Sequence, residues 1–178
     1  EVLAHYNLKN KFHLFSSSLG STVLIDSLQR HEVDALSSLF VAPNEHFKLP
    51  LWSRIIIKLP LPIIVLKLMR SITLRAIETK VKEEGQRIRY RRALMEQELV
   101  RWRASARSLI AYALPEDLSK ISVPCGILAA QSDKLHAMDA AKSIAERIPG
   151  AVMIEVPSNQ YAHEADVLVE VEAFHASL

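Results

Sequence analysis

A single cysteine, Cys125, is all the thiol this chain has. One thiol excludes an internal disulfide framework and any cysteine-rich zinc site, and it fits a reducing compartment. The start has no positively charged segment leading into an apolar core and a small-residue cleavage site, so no secretory signal is read and a cytoplasmic location is expected. The longest apolar stretch, Ile55 to Met69, is interrupted by Lys58, Pro60, Pro62 and Lys67, and it is too short and too broken to span a bilayer. An excess of one charge is lacking too. Lys and Arg number 22 against 20 Asp and Glu, a formal +2 that gives no case for a nucleic-acid partner. Internal repeats and low-complexity tracts are absent. What remains is a chain of 178 residues, 49% hydrophobic and 24% charged, which suits one globular domain or one domain with an insertion.

Three blocks follow one another. The first reads strand, turn, helix, strand. Lys11–Phe15 is an apolar extended run, Gly20–Arg30 sets Val23, Leu24, Ser27 and Leu28 at helical spacing, and a short strand within Ala35–Ala42 is closed by the turn signal Pro43-Asn44. Strand, helix and strand in so short a span make a βαβ unit, which predicts a parallel sheet. The middle block has no convincing strand. Past Pro50, Pro60 and Pro62 it reads as helix, with Met95, Leu99, Trp102, Ala106 and Leu109 or Ile110 on one apolar face. Its stretch Lys80–Arg107 is basic and reads as a solvated face, an acidic surface or anionic substrate being the alternative. Gly85 is the expected break between two helices there. The last block alternates again: strand Val123–Ala130, helix Ala137–Arg147, turn Pro149-Gly150, strand Val152–Val156 and a closing helix Glu164–Ala176.

Between the first strand and the first helix lies Ser16-Ser17-Ser18-Leu19-Gly20. By itself this is equally a helix N-cap. The third strand, however, runs into Gln131-Ser132-Asp133-Lys134, and the fourth leads to Tyr161-Ala162-His163-Glu164. Reactive groups of parallel sheets gather just beyond the carboxyl ends of the strands, so Ser18, Asp133 and His163 would rise from one edge. The order Ser, Asp, His, the S-x-S-x-G turn and the segment VPCGILAAQSDKLHAMDAAKSIAERIPGAVMIEVP together resemble the α/β-hydrolase family. The family's turn is G-x-S-x-G, so Ser16 stands where it has its first glycine and Gly20 takes the close-packing position.

The resemblance implies an α/β fold: a partial α/β-hydrolase core with a mostly parallel sheet of about four strands. Residues 1–43 would be the first part of the core, 44–114 an inserted helical cap and 115–178 the carboxyl-terminal part. It implies Ser18 as nucleophile, His163 as the base that takes its proton, and Asp133 as the group that holds the imidazole tautomer. The backbone N–H of Leu19 would donate to the oxyanion. The reaction would be hydrolysis of a small apolar ester or related acyl substrate, with no metal or organic cofactor. Trp52 and Trp102 would contact substrate or fill the core, and Ile55–Met69 would line an acyl pocket or bury the cap.

Alternatives stand beside these readings. Asp133 is also a turn residue, and His136 is the fallback histidine. The family's usual spacing falls on Tyr161, with a short insertion restoring His163. His5, His13, His31, His46 and His175 show no ligand spacing, and Cys125 reads as a small buried thiol. The residues before the first strand make at most part of a helix, and no His-Gly loop is present. By the resemblance, the strands preceding the elbow and the second oxyanion donor are then missing, leaving a truncated hydrolase with a raw sheet edge open to self-association. The competing function is a catalytically weak or inactive fragment that acts through binding.

Overall fold

His13–Ser17 forms strand β1, and it ends in two serines whose hydroxyls both have partners. The strand sits two residues later than the apolar run suggests, because pairing with the next strand extends through Ser16 opposite Phe40 and Ser17 opposite Val41. The computed structural model describes residues 5–8, 12–46, 51–130 and 138–178, without the side chains of Trp52 and Ser53. It divides into two compact units, Glu1–Glu45 with Leu114–Leu178, and His46–Ala113.

In the first unit, β1 is followed by helix α1 (Leu19–Gln29), then β2 (Ser37–Val41), β3 (Cys125–Ala130) and β4 (Val152–Val156). The four strands are parallel and lie in the order β1-β2-β3-β4. Every residue of β2 and β3 is buried, as expected for central strands covered on both faces. Alternation along the strands sorts the core into two layers. Phe40, Cys125, Ile127 and Ala129 pack with Ile25 and Leu28 of α1 and with Ala141 and Ile144 of α6 (Met138–Arg147). Leu39, Val41, Leu128 and Ala130 face the other way, onto Val167 and Phe174 at the closing helix α7 (Leu168–Ala176).

The expected closing helix is shorter than its pattern. Two 3-10 turns, Tyr161–His163 and Ala165–Val167, precede α7, and the extended backbone of Glu164 (φ −116°, ψ 173°) separates them. Gly126 lies where the second layer is tightest: a Cβ there would come within 2.5 Å of Leu39 Cδ2 and 3.3 Å of Phe174 Cδ2. Gly126→Ala is therefore expected to lower stability by about 1–3 kcal/mol in urea unfolding. Arg147 clasps the chain where it leaves and re-enters this unit, pairing with Glu45 at 2.7 Å and donating to Pro115 O at 3.0 Å.

The second unit is helical: α2 (Leu51–Lys58), α3 (Ile63–Lys80), α4 (Glu84–Glu96) and α5 (Leu99–Ala111). Ile57, Leu66 and Met69 form its core, with Leu99, Trp102, Ala106 and Ile110 against them. Two expectations need correcting. The chain breaks at Val81 rather than Gly85, because Val81 turns extended (φ −88°, ψ 111°) and is buried, leaving Gly85 in the first turn of α4. Met95 does not continue the α5 face. Gln97 and Glu98 are extended between the helices, and Met95 is 49% exposed. Among the described residues no helix is long and apolar enough to cross a membrane.

Candidate active site

Ser18 occupies the turn between β1 and α1 at φ 51°, ψ −119°. A residue with a side chain holds such a positive-φ conformation at a cost of about 1–3 kcal/mol, and only where its surroundings insist. Here the surroundings are hydrogen bonds to the end of β2. Ser18 N–H donates to Val41 O at 2.8 Å. The first turn of α1 is anchored at the same place through two fully buried hydroxyls. Ser21 Oγ donates to Val41 O at 3.1 Å, while Thr22 Oγ1 donates to Asn44 O at 3.0 Å and accepts the Asn44 N–H at 3.1 Å.

The serine in place of the first elbow glycine has a local use, since Ser16 Oγ donates to Ser21 Oγ at 3.2 Å. Its partner position is slack. Among the described residues a Cβ on Gly20 would meet only Ser16 Cβ, at 4.0 Å, an ordinary contact, so close packing against them does not require glycine there. Gly20→Ala is expected to fold normally and to gain up to about 1 kcal/mol in thermal or urea unfolding from its better helix propensity.

Strand parity decides what each serine meets. Ser16 points to the α1 face, and Ser17, one residue on, shares its face with Val41 and the α7 layer. His163 ends the 3-10 turn Tyr161–His163 ahead of α7, and its Nε2 lies 2.7 Å from Ser17 Oγ. Its Nδ1 lies 2.7 Å from Asn159 O. A carbonyl only accepts, so Nδ1 carries the proton, and in the neutral ring Nε2 accepts from the Ser17 hydroxyl. This is the tautomer that a general base for a serine needs. Asn159, which fixes it, is buried at the start of the same turn.

The other expected residues fall as follows. Tyr161 is directed to α7, where its hydroxyl donates to Glu170 Oε1 at 3.3 Å; burial, and then Glu170 and Asp166, hold the phenol above its ordinary pKa. His163, and not Tyr161, is the residue that reaches β1. Leu19 is the first residue of α1, where backbone N–H groups have no partner within the helix and the helix dipole favours negative charge. Asp133 and His136 lie outside the described residues, as does the side chain of Trp52. Trp102 is half-buried on the core of the helical unit. Sequence reading missed Ser17 and Asn159. Strand alternation could have raised Ser17, and the four-residue interval to His163 could have raised Asn159.

Cys125 is buried with its Sγ 3.2 Å from Val123 O, and burial pushes its thiol up to about 12. A thiol with that value is not a nucleophile at neutral pH. In the folded protein Cys125 is expected to resist a maleimide or dithio reagent at pH 7, and to react once urea opens the sheet.

A parallel sheet with a strained serine after its first strand, and a histidine brought to that strand from beyond the fourth, defines an α/β protein built around a strand–serine–helix turn. The fold is that of the α/β-hydrolases, present in part. A hydrolase from Pseudomonas aeruginosa is 17% identical with a TM-score of 0.70, covering 97% of this chain and 67% of its own. An esterase from Exiguobacterium antarcticum is 17% identical with a TM-score of 0.75, over 100% of this chain and 70% of its own. An enol-lactonase from Burkholderia xenovorans is 13% identical with a TM-score of 0.71, over 98% and 69%. No protein-family model matches the sequence, and no curated protein matches it significantly.

Proposed function

We propose that this chain is a serine hydrolase acting on a carboxylic ester or related acyl bond, with Ser18 as nucleophile and His163 as base. The observation that carries the reading is the pairing of two features at one strand end. Ser18 is held at φ 51°, ψ −119°, and the imidazole that could deprotonate it sits 2.7 Å from the adjacent Ser17 hydroxyl. Ser18 Oγ attacks the acyl carbon while its proton passes to His163 Nε2. The tetrahedral oxyanion takes a hydrogen bond from Leu19 N–H, and the leaving alcohol departs with the proton. Water then hydrolyses the acyl-serine by the same route in reverse. For the first step the imidazole must exchange Ser17 for Ser18, a change of partner between neighbouring residues. Asp133 belongs to this proposal as the group that stabilises the imidazolium. A fluorophosphonate probe tests it: the folded protein is expected to label on one serine, and absence of labelling in folded protein sinks the reading.

A second reading, association without catalysis, is favoured by β1. It ends the described sheet, and Phe15 on it is 47% exposed. Sedimentation velocity decides this. Concentration-dependent oligomers that disappear in Phe15→Lys support it, and a monomer at all concentrations rules it out.

A further inference from the structure

Charge is divided sharply between the two units. Residues 46–113 hold fifteen Lys and Arg against five Glu, a formal +10, whereas the rest of the chain holds seven against fifteen Asp and Glu, a formal −8. The near-neutral total conceals this.

The basic unit also turns apolar side chains outward in a regular way. On α2 and just past its end, Leu51, Ile55 and Leu59 recur every four residues and are 70%, 58% and 50% exposed. On α3, Ile64, Leu68 and Ile72 do the same at 68%, 61% and 45%. The opposite sides of both helices are occupied, since Ile57, Leu66 and Met69 form the unit's core. The outward stripes are therefore apolar surface additional to the core and not unpacked core. Helical spacing puts Arg54 and Lys58 beside the α2 stripe, and Lys67 and Arg75 beside the α3 stripe, all of them exposed. Glu78, on the same side of α3, is already paired with Arg87 and Arg91.

We propose that the helical unit His46–Ala113 docks on an anionic lipid bilayer surface. The apolar stripes of α2 and α3 enter the boundary between headgroups and acyl chains, and Arg54, Lys58, Lys67 and Arg75 lie against lipid phosphates. Net +10 selects an anionic surface, and exposed Leu and Ile at helical spacing select a lipid one. Nucleic acid matches the charge but has no use for the stripes, and a second basic unit would be repelled. The inference stands on the helical unit alone and does not depend on hydrolase activity.

The test is flotation of the full chain with vesicles of phosphatidylcholine and phosphatidylglycerol in equal parts, against phosphatidylcholine alone. Binding to the mixed vesicles only, weakened by added salt, is expected. Ile64→Asn with Leu68→Asn keeps the charge and should lower partitioning about ten-fold or more. Lys67→Gln with Arg75→Gln keeps the stripes and should lower it about five-fold for each charge removed. These positions are exposed, and circular dichroism checks that the variants remain folded. The proposal is overturned if the protein stays in solution with the mixed vesicles, or if the Asn variant binds them as well as the parent. It is also overturned if single-stranded DNA competes the protein off the vesicles completely, or if the protein reaches the same fraction of the gradient without vesicles.

Discussion

Ser18→Ala is expected to abolish fluorophosphonate labelling and to lower ester hydrolysis by a factor of about 10³ or more, while Ser17→Ala keeps both within about ten-fold. The two hydroxyls are neighbours, yet the backbone treats them differently. Ser17 closes a regular strand in register with Val41, where its side chain competes with no strain. Ser18 is held in a positive-φ turn by the bond from its N–H to Val41 O and by the Ser21 and Thr22 anchors behind it. Strain of that kind persists only where the surroundings over-determine it, and it clusters at functional sites, which is why Ser18 and not Ser17 is the expected nucleophile. In Ser17→Ala the imidazole loses its bond with the Ser17 hydroxyl, which no longer competes with Ser18 for it. The labelled peptide, read by mass spectrometry, identifies the serine. The reverse pattern, with Ser17→Ala silent and Ser18→Ala labelled, moves the nucleophile to Ser17. His163→Ala should match the loss in Ser18→Ala, because nucleophile and base act as one unit.

Phe40→Ala is expected to cost about 3–5 kcal/mol, a large part of the roughly 5–15 kcal/mol that holds a domain folded. Phe40 is fully buried in β2, opposite Ile127 and packed in one cluster with Ile25, Leu28, Leu118 and Ile144. Elements from both sides of the helical insertion meet on this ring, so the cavity left by alanine cannot be filled by movement of any one of them. Both tryptophans lie in the helical unit, which makes fluorescence a poor reporter on the sheet. Reactivity of Cys125 within β3 reports it directly, and its midpoint in urea should fall in Phe40→Ala. Val169→Ala, on a residue 64% exposed, is the control and should shift stability by no more than about 0.5 kcal/mol.

The strands were legible because alternation and apolar runs are local signals. Cys125–Ala130 lies within the expected Val123–Ala130, and Val152–Val156 is as expected. Less local features were misread. The closing helix was expected to begin at Glu164 because its composition is helical, but the chain there is drawn into two 3-10 turns that bury Ala162 and Val167. The break assigned to Gly85 falls at Val81, where burial of one side chain outweighs the helix propensity of its neighbours. The total charge of +2 stands and the basic stretch Lys80–Arg107 is legible, but a total cannot reveal the opposite excess carried by the other unit.

By itself, the sequence determined the parallel α/β core and the serine turn after the first strand, which follow from periodicity and from residue types within a few positions. The late histidine came instead from the resemblance to the α/β-hydrolases and stayed open between Tyr161 and His163. Which hydroxyl the histidine meets was decided only by the tertiary structure. Ser17 and His163 are 146 residues apart, and their contact depends on strand register, on the face that parity assigns to Ser17, and on the turn that sets the imidazole. Those are relations between elements, and no local pattern encodes them.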